Sequence, residues 1–335
     1  HKTKTETCIC KHINQFIEEN NFAAVFTISA GILPLPDLSQ TGYAELIKRT
    51  DFSLTMAKQH GRNCCYIFQE EEYQNFLRIR EITNELHSAV NHGFRGFSII
   101  FQPVMDIRQD KLTGAEVLIR FASKKFGPIS PAEFIPLLET SGLIIPTGRW
   151  FMREAITACR KIRMQIPDFK VNINVSQVQI TKSDIITDLI SEMDASGLPP
   201  AAIVIELTES ILLEKNEKAQ NFLKKLKQAG LQLALDDFGT GYSNFHYLSE
   251  LHPDIVKIDR GFTSKAITDK KKYYLLNQFS NMIHNLGLKL CIEGIETEDE
   301  LQKIKLLKPD YCQGFYWGRP CSYDEFRKYF VDVDR

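Results

Sequence analysis

The stretch ALDDFGTGYSN, residues 234–244, ends an apolar run in two adjacent aspartates. Adjacent carboxylates repel, and partial desolvation makes the repulsion worse, so Asp236 and Asp237 call for a cation. The same habit recurs along the chain. GAEVLIRF carries Glu116 and Arg120, KVNINVS carries Asn174 and Ser176, and AIVIELTE carries Glu206 and Glu209. DIVKIDRGF holds Lys257 and Asp259, LKLCIEGIE ends in Glu293 and Glu296, and YCQGFYWG holds Gln313. Each of these has a plainer reading on its own: a helix cap, a surface ion pair, or a lysine reaching for solvent. Together they supply oxygen donors with no histidine among them, which suits Mg²⁺ or Mn²⁺ rather than zinc. More than four carboxylates point to two ions, with one aspartate of the pair bridging. Two such ions about 3.5–4 Å apart are the usual device for in-line attack on a phosphodiester. They also reverse the local charge, so that an acidic site accepts an anion. Lys257 is the group to orient the attacking water or help to deprotonate it.

These residues converge only if the runs that carry them share one sheet. Eight apolar runs follow from about residue 97, the first being FSIIFQPVMDI, and most are apolar at consecutive positions, as in strands buried on both faces. Amphipathic segments lie between them. Residues 149–163 place Trp150, Ile156 and Cys159 at helical spacing; residues 217–228 do the same with Phe222, Leu223 and Leu226; residues 275–286 repeat the pattern. Gly230 and Gly287 are the stop signals. The fold class is α/β, a modified (β/α)₈ barrel of the TIM type, in which function gathers at the C-terminal strand ends. Runs one and two are joined by too few residues for a helical crossover, so the first strand is expected to be antiparallel.

The N-terminal part reads differently. AAVFTISAGI and CCYIF are strand candidates around a helix in AELIKRTDFSLTMAKQHG, too few strands for a complete domain. Phe76, Ile79, Ile82, Leu86 and Val90 share one face of a connecting helix. The expected divisions are a partial α/β segment at 1–70, a linking helix at 71–93 and the barrel at 94–335.

The chain has 335 residues, with 41 basic against 42 acidic side chains and a net charge of −1. That balance argues against a DNA or RNA polymer as partner, since no general basic field exists to grip one. No run reaches the roughly 18 apolar residues of a membrane span, and no membrane contact within the chain is expected. Eight cysteines without a CxxC pair read as reduced thiols of a cytoplasmic protein. The chain opens on His1 rather than Met, which reads as a fragment, so a membrane anchor upstream stays open.

From about residue 84 onward the sequence resembles the EAL domain, the cyclic di-GMP phosphodiesterase of bacterial signalling. The matching stretches are FQPVMD, GAEVLIR, PAEFIPLLETSGL, VNINVS, ELTES, LALDDFGTGYSN, VKIDRGF, CIEGIE and QGFYWGRP, in order. The signature tripeptide is Glu116-Val117-Leu118, with Val in place of the usual Ala. The resemblance implies Glu116, Asn174, Glu206 and Asp236 as ligands of one metal, and Asp236, Asp237 and Glu293 as ligands of the second. It implies Lys257 as the contact of the catalytic water, Glu293 as a catalytic group, and Glu209 as the residue steadying the loop after DDFG. Gln102, Leu118, Arg120, Asp259 and Gln313 are implied as substrate contacts. The loop itself, with Gly239, Thr240 and Gly241, is tied to metal binding and to homodimerisation. The implied reaction is hydrolysis of one phosphodiester of cyclic di-GMP to linear pGpG. A catalytically silent receptor for the same nucleotide is the alternative, although such modules usually lose metal ligands and none is missing here. The first 70 residues resemble the C-terminal half of a GGDEF (diguanylate cyclase) domain through TISAGI and ELIKRTDFSLTMAKQHGRN. The GGDEF signature is absent, so no cyclase activity is expected of this chain.

Overall fold

The computed structural model describes residues 12, 15–16, 19–20, 28–34, 42–208, 217–239 and 252–332. The chain divides into two compact units, 1–84 and 85–335.

In the first unit, strands β1 (Ala30–Ile32) and β2 (Cys65–Ile67) pair in parallel. The helix Tyr43–Gln59 packs on them through Phe52, which clusters with Tyr66 and Tyr73. Gly31 is required for this approach, because a Cβ there would stand 2.4 Å from the Leu54 nitrogen. The strand candidate at 23–32 is observed from Ala30; residues 23–27 lie outside the described residues. The linking helix runs Glu70–Asn91, with Ile82 and Leu86 fully buried.

The second unit is the barrel. Its strands are β3 (Phe97–Asp106), β4 (Lys111–Ser123), β6 (Lys170–Asn174), β7 (Ile203–Thr208), β8 (Gln232–Phe238), β9 (Ile255–Ile258), β10 (Lys289–Glu293) and β11 (Tyr311–Gln313), with β5 (Gly127–Ile129) as an edge hairpin on β4. The order β3-β11-β10-β9-β8-β7-β6-β4 closes through a β3–β4 pairing. All eight runs read from the sequence are strands of this barrel. β3 is antiparallel to both β4 and β11, and the remaining barrel neighbours are parallel. The short β5 was not anticipated: Gly-Pro-Ile carries too little pattern to read as a strand.

The strands have two apolar faces. Val117, Ile173, Ile205, Leu235, Val256 and Ile292 point outward and bury against the surrounding helices. Each such side chain contributes about 1.5–3 kcal/mol of burial. Val204, Ala234, Ile255 and Cys291 form a separate cluster inside the barrel, with Tyr311 packed against it. Successive side chains of a strand alternate in direction, so the residue two positions on points inward too. Two positions on from these five stand Glu206, Asp236, Lys257, Glu293 and Gln313. The barrel interior is therefore layered, an apolar plug below and polar groups above, at the C-terminal ends of the parallel strands.

Candidate active site

Lys257 is the centre of that polar layer. Its side chain is almost wholly inaccessible, and its ammonium lies 2.8 Å from Glu206 Oε1, 2.8 Å from Glu293 Oε1, 3.2 Å from Asp236 Oδ1 and 3.5 Å from Glu116 Oε2. A lysine ammonium is normally too costly to bury, and only such a cage of opposite charge makes it tolerable. Desolvation pushes its pKa down, but the four carboxylates outweigh it and hold the ammonium well above its usual range.

The amides complete the network. Asn174 Nδ2 donates to Glu116 Oε1 at 2.8 Å and to Glu206 Oε2 at 3.2 Å, and Gln313 Nε2 donates to Glu116 Oε2 at 2.7 Å. Asn172, which the sequence reading passed over, donates from Nδ2 to Glu206 Oε1 at 2.8 Å. The signal was present: Asn172 and Asn174 are two apart on one strand and so share a face.

The carboxylates respond unequally. Burial raises Glu206, with Glu116 and Asp236 adding repulsion and Lys257 only partly offsetting it. Glu293 is pushed up to about 7 by burial, against the pull of Lys257. Burial also acts on Glu116, but Lys257, Gln313 and Asn174 together hold it below its usual value. Two buried oxygens, Asp236 Oδ1 and Glu293 Oε1, accept no hydrogen bond of good geometry although Lys257 is near.

Asp237 reaches the site by a different route. Simple alternation would turn it away from Asp236. The β8–β9 register shifts between Leu235 and Phe238, and Asp237 adopts a left-handed φ of 57°. Aspartate is among the few residues that tolerate this conformation. Its pKa is raised by burial and by the charges of Asp236 and Asp259, which places it in the same field. Gly239 follows with a φ of 99°.

The other expected residues divide. Gln102 pairs in register with Glu116 and lines a 190 Å³ cleft with Glu116, Glu293 and Gln313. Arg260, Glu296 and Phe315 form another part of its wall. Arg120 is half-buried near Glu116 and donates from Nη1 to the Ile119 carbonyl at 2.8 Å. Leu118 is half-buried, opposite Ile100 on β3. Asp259 caps the helix Arg260–Thr268, its Oδ1 accepting from Gly261 N at 2.7 Å. Ser176 likewise caps the helix Gln177–Lys182. Glu209, Thr240 and Gly241 lie outside the described residues.

Among the described residues, no three His, Cys, Asp or Glu side chains form a ready-made metal cage; the four carboxylates converge on Lys257 instead. The donor set nevertheless fits hard cations. With all five ionised, as metal binding would require, Glu116, Glu206, Asp236, Asp237 and Glu293 against one ammonium would carry four net negative charges, matching two divalent ions. The oxygens of Asp236 and Glu293 that lack hydrogen bonds are the donors such ions would satisfy.

The class follows from a closed α/β barrel with an acidic, lysine-centred mouth. The chain belongs to the EAL domain family, whose pattern it matches over residues 83–320. A protein of Escherichia coli K12 described as the probable cyclic di-GMP phosphodiesterase PdeG is 33% identical over 244 residues, covering 72% of this chain and 48% of that protein. The bifunctional diguanylate cyclase/cyclic di-GMP phosphodiesterase MucR of Pseudomonas aeruginosa PAO1 is 29% identical over 316 residues, covering 93% of this chain and 45% of that protein. The EAL enzyme Bd1971, solved with cAMP and cyclic di-GMP bound, superposes with a TM-score of 0.72 at 27% identity, covering 87% of this chain and 76% of that one. The chain thus spans less than half the length of these two curated relatives.

Proposed function

We propose that the barrel hydrolyses one phosphodiester of cyclic di-GMP to linear pGpG by in-line attack of water. The observation that carries this reading is the convergence of Glu116, Glu206, Asp236 and Glu293 on Lys257 at the C-terminal strand ends. The names of PdeG and MucR, and the nucleotide bound to Bd1971, supply the substrate class.

Glu116, Asn174, Glu206 and Asp236 are assigned to one Mg²⁺ or Mn²⁺, and Asp236, Asp237 and Glu293 to a second. When bound, these ions supply charge neutralisation and Lewis acidity towards a phosphoryl group. The protein's own groups do the rest. Lys257, whose ammonium is held up by its carboxylates, is assigned to the attacking water, to orient it or help to deprotonate it. Asn172, Asn174 and Gln313 fix the carboxylates by donating to them, which keeps the oxygens aimed before substrate arrives. Gln102, Leu118 and Arg120, on the paired strands β3 and β4, with Asp259 and Gln313, are assigned to substrate. Glu209, Gly239, Thr240 and Gly241 are assigned to the loop that supports the metal ligands and a homodimer contact.

The first 70 residues we read as a GGDEF remnant without cyclase activity. The match to MucR, a protein named for both activities, over 93% of this chain supports the GGDEF kinship, and the missing signature is the ground for expecting no cyclase activity. No described helix is long and apolar enough to cross a membrane.

The test is turnover of cyclic di-GMP by the purified chain with Mg²⁺ or Mn²⁺, repeated with chelator and read by chromatography. Linear pGpG that appears only with metal is the expected result. Tight binding without turnover replaces the enzyme with a receptor, and neither binding nor turnover overturns the substrate assignment.

A further inference from the structure

The opposite end of the barrel carries a second, larger cleft. It has a volume of 510 Å³ and opens where the strands begin. Lys111, Lys170, Lys289 and Tyr311 are the first residues of β4, β6, β10 and β11, and Arg163 ends the helix Ile144–Arg163; all five line it.

The charge there is only partly compensated: Asp310 and Asp106 act on Lys289, behind its hydrogen bond to Tyr311, and Asp254 and Asp168 act on Lys170. Lys170 Nζ donates to Gln232 Oε1 at 2.7 Å, Lys289 Nζ to the Tyr311 hydroxyl at 2.9 Å, and Arg163 Nη1 to the Phe169 carbonyl at 2.8 Å. Three cations thus have neutral acceptors. Two acids share the wall, Asp106 and Asp168. Asp106 Oδ1 accepts from the backbone nitrogens of Arg108 and Gln109, both at 2.9 Å, while its charge still acts on Lys289. The Lys170 pKa is lowered by burial and then by the charge of Lys289, with Asp254 and Asp168 offsetting only part of this. Two ammonium groups that repel across a cleft are stabilised by an anion placed between them. Ile166 and Pro167 add apolar wall, and the Lys289 ammonium lies 5.3 Å from the Tyr311 ring centre.

We propose that this cleft is a binding site for a phosphate dianion, either free or carried by a small organic molecule of mononucleotide size. The site is separate from the mouth. Between the two lies the plug of Val204, Ala234, Ile255 and Cys291, where a cavity of 20 Å³ has room for about one water. The inference does not depend on the reaction assigned to the mouth.

The experiment is calorimetric titration of the full chain in chelator with inorganic phosphate, GMP and guanosine. The expected result is saturable binding of phosphate, GMP or both, and none of guanosine. Phosphate and GMP binding equally assigns the site to the free ion, whereas tighter GMP binding assigns it to the organic phosphate. Lys289→Gln, at an exposed position, and Lys170→Met should each weaken binding about tenfold or more, while Glu116→Gln at the mouth leaves it unchanged. Binding that survives both lysine substitutions, binding lost in Glu116→Gln, or no binding by wild type up to about 10 mM ligand overturns the proposal.

Discussion

The two ends of the barrel are built from the same strands and carry opposite charge. At the mouth, four carboxylates surround a single ammonium, Lys257, with Asp237 in the same field, and acids outnumber the cation. At the floor, Lys111, Arg163, Lys170 and Lys289 line a cleft with two acids, Asp106 and Asp168. A few apolar side chains separate the two. The near-neutral net charge of the chain conceals this polarity, because charge matters to a ligand only within about a Debye length, roughly 8–10 Å. Both ends recruit partners by imbalance, and they recruit partners of opposite sign.

The sharpest test of that contrast is Asp236→Asn. The substitution removes the proposed bridging ligand at nearly constant shape, and cyclic di-GMP turnover should fall by about a thousandfold or more. Steady-state turnover in Mn²⁺ checks it, and a variant within tenfold of wild type would refute the assignment. Next comes Lys257→Met. Removing one partner of a buried ion cluster costs about 3–5 kcal/mol, so the metal-free variant should unfold far earlier than wild type. Divalent metal should restore more of the loss than it adds to wild type, and thermal scans with and without Mn²⁺ measure both.

The third test is pH. Glu293 has its folded pKa raised to about 7 from 4.5. Between those values the native chain holds a proton that the unfolded chain has released, so metal-free stability must fall as pH rises through this interval. A urea midpoint that climbs from pH 5 to pH 7 in chelator would contradict it. Smallest is Lys289→Gln at the floor, which should change turnover less than twofold and stability by no more than about 0.5 kcal/mol. A large loss of turnover there would mean that the two ends are coupled.

Much of this was legible in the sequence, for a reason visible in the layering. Val204 and Glu206, Ala234 and Asp236, Ile255 and Lys257, Cys291 and Glu293 are apolar–polar pairs two residues apart. Such pairs at the ends of apolar runs announce a buried polar layer in a barrel. Three features did not announce themselves. Asn172 was hidden inside an apolar run, although it shares a face with Asn174. The placement of Asp237 goes with a register shift between β8 and β9, which no local pattern encodes. The floor cations begin their strands, where a lysine reads as an ordinary solvated end, and only closure of the barrel gathers them.

The reversed first strand has a consequence of its own. In a barrel of eight parallel strands the chain enters at the floor and must climb one strand to reach the chemistry. Here Ser98 pairs with Arg120 and Gln102 with Glu116, so the chain enters at the rim and passes the level of Glu116 on its way down. The helix Glu70–Asn91 ends only a few residues before that entry. The helix therefore leads in sequence to the mouth end of the barrel, not to the floor.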